Sequence, residues 1–430
     1  MSRLRVGLDA VAARAVAMDE RSRIVASCRG LPEADSPSRL LGALVAEGID
    51  AAAIDRVVAI LPEPVPAETG ARVGVLRIGG ATALPPLVGW PAGMSGALAG
   101  PVAMVRGGHE YDGTPSAPLD LAAVAEFARR CAGNVRAVAL AGVHGLENPD
   151  HEQQAAALLA DVLGPEIPVR KGSETEAIGL LERENTAALD AALAEFARAR
   201  IAELGAAVRK HNPEAELYLV RGDGTVLPEL AAQRHATACL GAARAAMLHG
   251  AARLAGVAAA VVVETTGGQT VVGTTRGGLL PESGAHREFG GIRIGARLPR
   301  LTVLNRESSL SSAVARARYG YDDLPVVLVG DRSVPDAIRL LDGDLAAAVG
   351  AATAEAAGSV DRIFWQGTGG REDSAARARQ LARDAAVRAG ADPRTLRETP
   401  VKEALMTYVP VPAARLQATA VGPILEPVAP

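Results

Sequence analysis

Twice in this chain, about half its length apart, two short β-strands flank a turn of small residues. Leu4-Arg-Val-Gly-Leu-Asp9 leads into Ala12 to Asp19, and Ala258 to Glu264 passes through Thr265-Thr-Gly-Gly-Gln269 into Thr270 to Thr275. A hairpin that recurs at the head of each half predicts two related α/β lobes, because each sheet needs helices to cover its faces. The length of 430 residues agrees with at least two cores, since single cores rarely grow beyond roughly 250–300 residues.

Between the hairpins strands alternate with helices. Ile54 to Leu61, Arg72 to Ile78, Val135 to Gly142, Pro168-Val169 and Leu217 to Val220 read as strands. Leu119 to Cys131 reads as a helix with Ala122, Val124, Phe127 and Ala128 inward, and His151 to Leu163 as another. This order predicts a mixed or parallel sheet. A long helix is expected over Asn185 to Lys210, with Asn185 or Thr186 as N-cap and Leu189, Leu193, Phe196, Ile201 and Leu204 at helical spacing. Further helices are expected at Ala231 to Leu254, Asp342 to Ala357 and Ser374 to Ala389, and strands at Val326 to Gly330 and Arg362 to Trp365. From Pro400 onward repeated prolines predict an extended surface tail.

Composition narrows the function classes. An apolar share of 49% excludes intrinsic disorder. An aromatic share of 3% leaves few platforms for stacking single-stranded nucleic acid, and a net charge of −4 gives no basic footprint for phosphate backbones. Cys28, Cys131 and Cys239 are sparse, unpaired in sequence and form no CxxC, as a reducing compartment permits. The N-terminus alternates into a strand and lacks the apolar run of a signal peptide, so the expectation is a cytoplasmic protein. Ile78 to Val105 carries no charge, yet Pro85, Pro86, Pro91 and Pro101 among six glycines break any continuous membrane helix. It reads instead as a Gly/Pro-rich apolar segment, buried or contacting a partner.

Several segments, in order, resemble the hydantoinase A/5-oxoprolinase family. Val135-Arg-Ala-Val-Ala-Leu-Ala-Gly-Val-His144 followed by Asn148-Pro-Asp-His-Glu152 is similar to that family's "AVAVxLLHSxxNPxHE". Pro118-Leu-Asp120 resembles its "PLD", Glu182-Arg183 with Thr186-Ala-Ala-Leu-Asp190 its "YERTSTTVLNAYL", and Phe289-Gly-Gly-Ile-Arg-Ile its "GGYRV". The resemblance implies an α/β fold of two actin-like (ribonuclease H-like) lobes with an interlobe cleft. It implies an N-terminal-like lobe over 1–184, an ATPase-core-like lobe over 185–399 that includes a crossing helix 185–210, and a tail over 400–430. It also implies ATP-dependent opening of a cyclic amide such as a hydantoin or 5-oxoproline, ATP and Mg²⁺ as cofactors, and a hydantoinase B-like subunit or a second copy as partner.

The implied nucleotide site is Asp9, Gly267, Gly268, Thr270, Gly367, Gly369 and Gly370. Against the family's DxGGTxTD turns, Asp9-Ala-Val-Ala-Ala-Arg-Ala keeps the acid and loses both glycines, while Thr265-Thr-Gly-Gly-Gln-Thr-Val-Val272 keeps the glycines and loses the acids. The family's "IGAGGGS" is replaced by Leu304-Asn-Arg-Glu-Ser-Ser-Leu310, and Gln366-Gly-Thr-Gly-Gly370 remains as an adenosine turn. A Cβ obstructs close approach of backbone to phosphate, and without acids little holds a divalent ion, so weak or lost ATP hydrolysis is expected. His144 and His151, with Glu147, Asp150 and Glu152 nearby, form a His/carboxylate cluster for a metal or a proton, or else a strand end and a helix cap. His109-Glu110-Tyr111-Asp112 offers further ligands or a solvated loop, and Ser308 to Ser312 offers hydroxyls without a base.

Overall fold

The computed structural model describes residues 3–32, 36–80, 83–266, 268–277, 279–280, 287–304, 309–319, 323–365, 370–406 and 412–426. The first hairpin, Leu4–Asp9 with Arg14–Met18, starts a sheet of ten described strands. Its first five members lie in the order Ile24–Arg29, Arg14–Met18, Leu4–Asp9, Ile54–Ile60, Glu216–Val220. The second hairpin, Ala259–Thr265 with Thr270–Arg276, starts a five-stranded sheet ordered Leu301–Leu304, Thr270–Arg276, Ala259–Thr265, Val326–Gly330, Ala337–Arg339. Both therefore read third, second, first, fourth, fifth. In both, the first three strands are antiparallel neighbours and the first, fourth and fifth run parallel. That order and polarity define a ribonuclease H-like lobe, and its repetition is the actin-like architecture that the family resemblance implies.

Two helices join the lobes. Ala242–Leu254 leads into the five-stranded sheet and Ala346–Thr353 leads out of it. A Cβ added at Gly250 would overlap the Ala346 carbonyl oxygen, one at Gly350 the Ala246 carbonyl oxygen, and one at Gly7 the Ala348 carbonyl oxygen. The seam is thus backbone against backbone, which the small side chains Ala242, Ala246 and Ala351 allow.

A third sheet is inserted between Ile54–Ile60 and Glu216–Val220. It is parallel, in the order Ala99–Val105, Val73–Ile78, Ala137–Gly142, Val169–Lys171. Val75, Ala137 and Ala139 face helix Leu180–Ala192, while Leu76, Val138 and Leu140 pack with Val124 and Phe127 of helix Leu121–Cys131 and Leu159 of helix Asp150–Leu163. Both faces are covered, which is why these strands read as near-continuous apolar runs.

The structure differs from the sequence reading at several elements. The helix over 185–210 is two helices, Leu180–Ala192 and Ala194–His211, separated at Leu193. Asn185 and Thr186 are not caps but lie buried within the first. Asn185 accepts from Trp90 Nε1 (2.8 Å) and donates to the Arg293 carbonyl (2.9 Å), and Thr186 Oγ1 accepts from Gly295 N (2.7 Å). Phe196 is only half-buried, and Ala122 is exposed. The 231–254 helix is interrupted by a 3₁₀ turn at Ala236–Cys239 and by Gly241 at φ 74°. The helix placed over 342–357 spans only Ala346–Thr353, and Ala356–Trp365 is a strand.

Of the segment from Pro400, Lys402–Leu405 and Ala413–Gly422 are strands, and the second does not run over the surface. Ala413–Gly422 pairs along the whole of Ala356–Trp365 within the large sheet, burying Ala414, Leu416, Ala418 and Ala420, and Lys402–Leu405 pairs on its other side. The large sheet draws its strands from 4–60, 216–228 and 356–422, and the division at 184/185 falls inside helix Leu180–Ala192. The uncharged run 78–105 contains helix Ala92–Leu98 and strand Ala99–Val105. Among the described residues no helix is long and apolar enough to cross a membrane.

Candidate functional site

In parallel sheets, ligands collect at the carboxyl ends of the strands. Both hairpin turns lie there, one after Asp9 and the other after Thr265. Asp9 is buried, and its Oδ1 accepts from the backbone N–H groups of Val11 and Ala12, both at 3.0 Å. The amides that would surround a phosphate oxygen are therefore occupied by the chain's own carboxylate. Burial raises the Asp9 pKa, against the lowering by those two amides and Arg14. Ala13 takes the left-handed conformation, φ 54°, that a glycine would hold without strain.

Arg14 closes this turn. Its Nη1 donates to the carbonyls of Ala12 (2.8 Å), Ala13 (3.2 Å) and Gly30 (2.9 Å), and its Nε to Asp344 (3.0 Å). Arg29 donates to Asp342 (2.7 Å) and Asp344 (2.9 Å). The two acids sit between the five-stranded sheet and the joining helix Ala346–Thr353, so arginines tie the first turn to the other lobe. Burial would raise the Asp344 pKa, but Arg29 and Arg14 outweigh it and hold the carboxylate ionised.

Described residues of the second turn also have partners. Glu264 accepts from Thr266 Oγ1 (2.7 Å), Gln269 accepts from Arg244 (3.2 Å), and Thr270 Oγ1 accepts from Arg332 (3.4 Å). Gly268 has φ 77°, a conformation that glycine favours. Gly330, ending the neighbouring strand, lies so close to Thr265 that an added Cβ would overlap Thr265 Oγ1. Gly267, Gly367 and Gly369 lie outside the described residues, and Gly370 opens helix Gly370–Arg388 at φ 68°. Arg14, Arg29, Arg244 and Arg332 are the site residues that sequence reading missed. Arg14 lies in the segment Asp9-Ala-Val-Ala-Ala-Arg-Ala itself and opens the second strand of the hairpin.

These residues do not fit Mg²⁺. Asp9 is committed to its own turn, Asp342 and Asp344 pair with arginine, Glu264 with threonine, and arginines line both turns. Among the described residues no group of three or more His, Cys, Asp or Glu side chains could hold a metal ion.

The histidine segments form a separate cluster at the carboxyl edge of the four-stranded sheet. His109 and His151 stack at 4.3 Å, and His151 Nδ1 accepts from Gly108 N (3.0 Å). Burial lowers the His109 pKa, helped by His151. Glu152 is buried, accepting from Gly142 N (2.7 Å) and Ser173 N (2.9 Å). Asp150 does not cap its helix through its side chain. Asn148 Oδ1 instead accepts from Asp150 N (3.0 Å). Tyr111 stacks on Trp365 at 4.4 Å and Asp112 holds Thr114, while Ser309 accepts from Ser312 N to cap helix Leu310–Arg318. Most of these groups are structural. His144, at φ 50°, lies 3.7 Å from Glu147.

A small cavity of about 170 Å³ is lined by Glu176, Asp190, Arg221 and His235, among others. Glu176 is clamped by Arg221 (2.9 Å) and Arg297 (2.8 Å). Burial pushes its carboxyl up, yet the two guanidinium groups outweigh this and hold it at about 2. A lowered carboxylate pKa stabilises the fold above the unfolded value and loses that contribution as pH falls toward the folded one. The stability gap between the wild type and Glu176→Gln, measured by thermal unfolding, is therefore expected to be full at pH 6 and to narrow from about pH 4.5 toward about pH 2. A gap independent of pH would contradict the clamp.

The fold and turns define a two-lobed, actin-like α/β protein. Residues 87–163 match the model of the hydantoinase/oxoprolinase N-terminal region. No curated protein matches the chain in sequence. Among solved structures, a nucleotide-free acetone carboxylase, described for ATP-dependent acetone carboxylation, aligns with TM-score 0.68 at 10% identity, covering 99% of this chain and 88% of its own. An ATP-dependent caprolactamase from Pseudomonas jessenii aligns with TM-score 0.69 at 14% identity, covering 100% and 89%. The resemblance to the hydantoinase/oxoprolinase family thus stands, and the fold is shared with these ATP-dependent enzymes.

Proposed function

We propose that this chain is a hydantoinase/oxoprolinase-like protein whose scaffold descends from ATP-dependent cyclic-amide hydrolases and in which Mg-ATP hydrolysis is weak or lost. The observation that carries this reading is Asp9 seated on the amides of its own turn, with Arg14 closing the turn from outside. A phosphate would have to displace a buried carboxylate that already has its hydrogen bonds. The protein then serves as a binding or assembly subunit, with a hydantoinase B-like subunit or a second copy as partner, in the cytoplasm.

Titration calorimetry with ATP, with and without Mg²⁺, and phosphate release in the presence of hydantoin or 5-oxoproline test the reading. No Mg²⁺-dependent heat and no release above buffer are expected. Turnover with either amide would overturn it. Light scattering on the purified protein tests the assembly role, which a strict monomer that binds no hydantoinase B-like subunit would contradict.

A further inference from the structure

At the opposite end of the strands from the hairpin turns lies a cavity of about 570 Å³. It opens where both lobes begin their strands and where both joining helices end. Arg5 and Arg56 come from the large sheet, Ala258 and Thr275 from the five-stranded sheet, and His249, Arg253 and Thr353 from the two helices. The volume is within the range of small-molecule sites.

Its polar lining is specific. Arg5 donates to the Asp19 carbonyl (3.1 Å) and Ser22 Oγ (2.8 Å), both neutral partners. The Arg253 guanidinium has no hydrogen bond or ion pair among the described residues. Arg56 is buried, bonded to the Ile424 carbonyl (3.2 Å) and to Asp55 (3.3 Å). Of the lining acids, Glu355 is already taken by Arg397 (2.6 Å), which leaves Glu426 at the rim. The positive charge is therefore undercompensated.

His249 adds a second requirement. It is 9% exposed, its ring hydrogen-bonds the Thr353 backbone, and its Nε2 is buried without a partner among the described residues. Burial lowers its pKa and keeps the ring neutral. A neutral imidazole that donates to a carbonyl through Nδ1–H presents a lone pair at Nε2. That lone pair asks for a donor, not for an anion.

We infer that this cavity is a binding site for a small organic oxyanion, carboxylate or phosphate, that also carries a hydroxyl or amine. Arg5 and Arg253 take the anion, and His249 Nε2 accepts from the donor. The site is separate from the hairpin turns and does not depend on whether nucleotide binds there.

Titration calorimetry on the full chain with sn-glycerol 3-phosphate and L-malate supplies the hydroxylated phosphate and carboxylate arms. Methyl phosphate and acetate are the controls without a donor. One hydroxylated probe is expected to saturate at one site, at least tenfold tighter than its control, and the arm that responds identifies the anion. Arg253→Ala, at an exposed position, should weaken that probe tenfold or more, and His249→Phe should remove its advantage over the control. Saturation by neither probe, or binding unchanged in both variants, would overturn the assignment.

Discussion

Gly250→Val is expected to leave little or no soluble, folded protein. The added side chain would start at a Cβ that already overlaps the Ala346 carbonyl oxygen and lies close to Gly350 N. Overpacking against movable side chains costs about 1–3 kcal/mol. Here the obstacle is the backbone of a helix that is itself pinned to Gly7 of the first strand, so the helices must separate. The cost then exceeds that range and takes up much of the roughly 5–15 kcal/mol that holds a domain folded. Gly93→Ala is the control, because Gly93 lies in helix Ala92–Leu98 with nothing within 4 Å of an added Cβ. It should be neutral or stabilise by up to about 1 kcal/mol. Soluble yield and the denaturant midpoint read both variants. A Gly250→Val protein with the wild-type midpoint would show that the seam between the lobes is looser than drawn.

The hairpins were legible because strand alternation and small-residue turns are local signals, and they lead to two α/β lobes, though not to the strand order within each. The seam was legible only as composition: abundant Ala predicts close helices, but not that Gly250 and Gly350 face each other. Asn185 and Thr186 were misread as caps because their polar groups find partners in Trp90, Arg293 and Gly295, distant in sequence. Ala413–Gly422 was missed for a different reason. Its inward positions Ala414, Leu416, Ala418 and Ala420 alternate correctly, but alanine gives a weak apolar contrast and the surrounding prolines suggest a tail.

At the turns, the lost glycines and acids could be read from sequence, whereas what replaced their function could not. Arg14 reaches Asp344 across the chain, and Arg332 reaches Thr270 from the loop after strand Val326–Gly330. Such long-range pairs leave no periodic trace. The same holds for the cavity at the far end of the sheets, whose arginines come from two strands and a helix end and look like ordinary surface charge in sequence.

Arg77→Met is expected to destabilise the protein by about 3–5 kcal/mol, the usual cost of leaving one partner of a buried ion pair alone. Arg77 and Glu184 are 2% and 0% exposed at their side chains and meet through two bonds, at 2.6 Å and 2.7 Å. The pair also organises the uncharged segment that follows the strand. Arg77 donates to the carbonyls of Leu84 and, at 3.4 Å, Pro85, and Glu184 accepts from Leu87 N at 3.2 Å. A run without charges of its own thus takes its shape from one charge before it and another on helix Leu180–Ala192. The double variant Arg77→Met, Glu184→Leu should recover much of the loss, since an apolar pair of similar volume often replaces a buried ion pair at little cost. Recovery stays incomplete by about 1–3 kcal/mol, because Leu87 N and the Leu84 carbonyl lose their partners. Denaturant midpoints of both single variants and the double variant give the coupling directly. Limited proteolysis supplies an independent readout, with the single variant cut faster between residues 83 and 98. A single variant that loses less than about 1 kcal/mol, with no new cleavage, would mean that the segment is held by its apolar contacts and not by the pair.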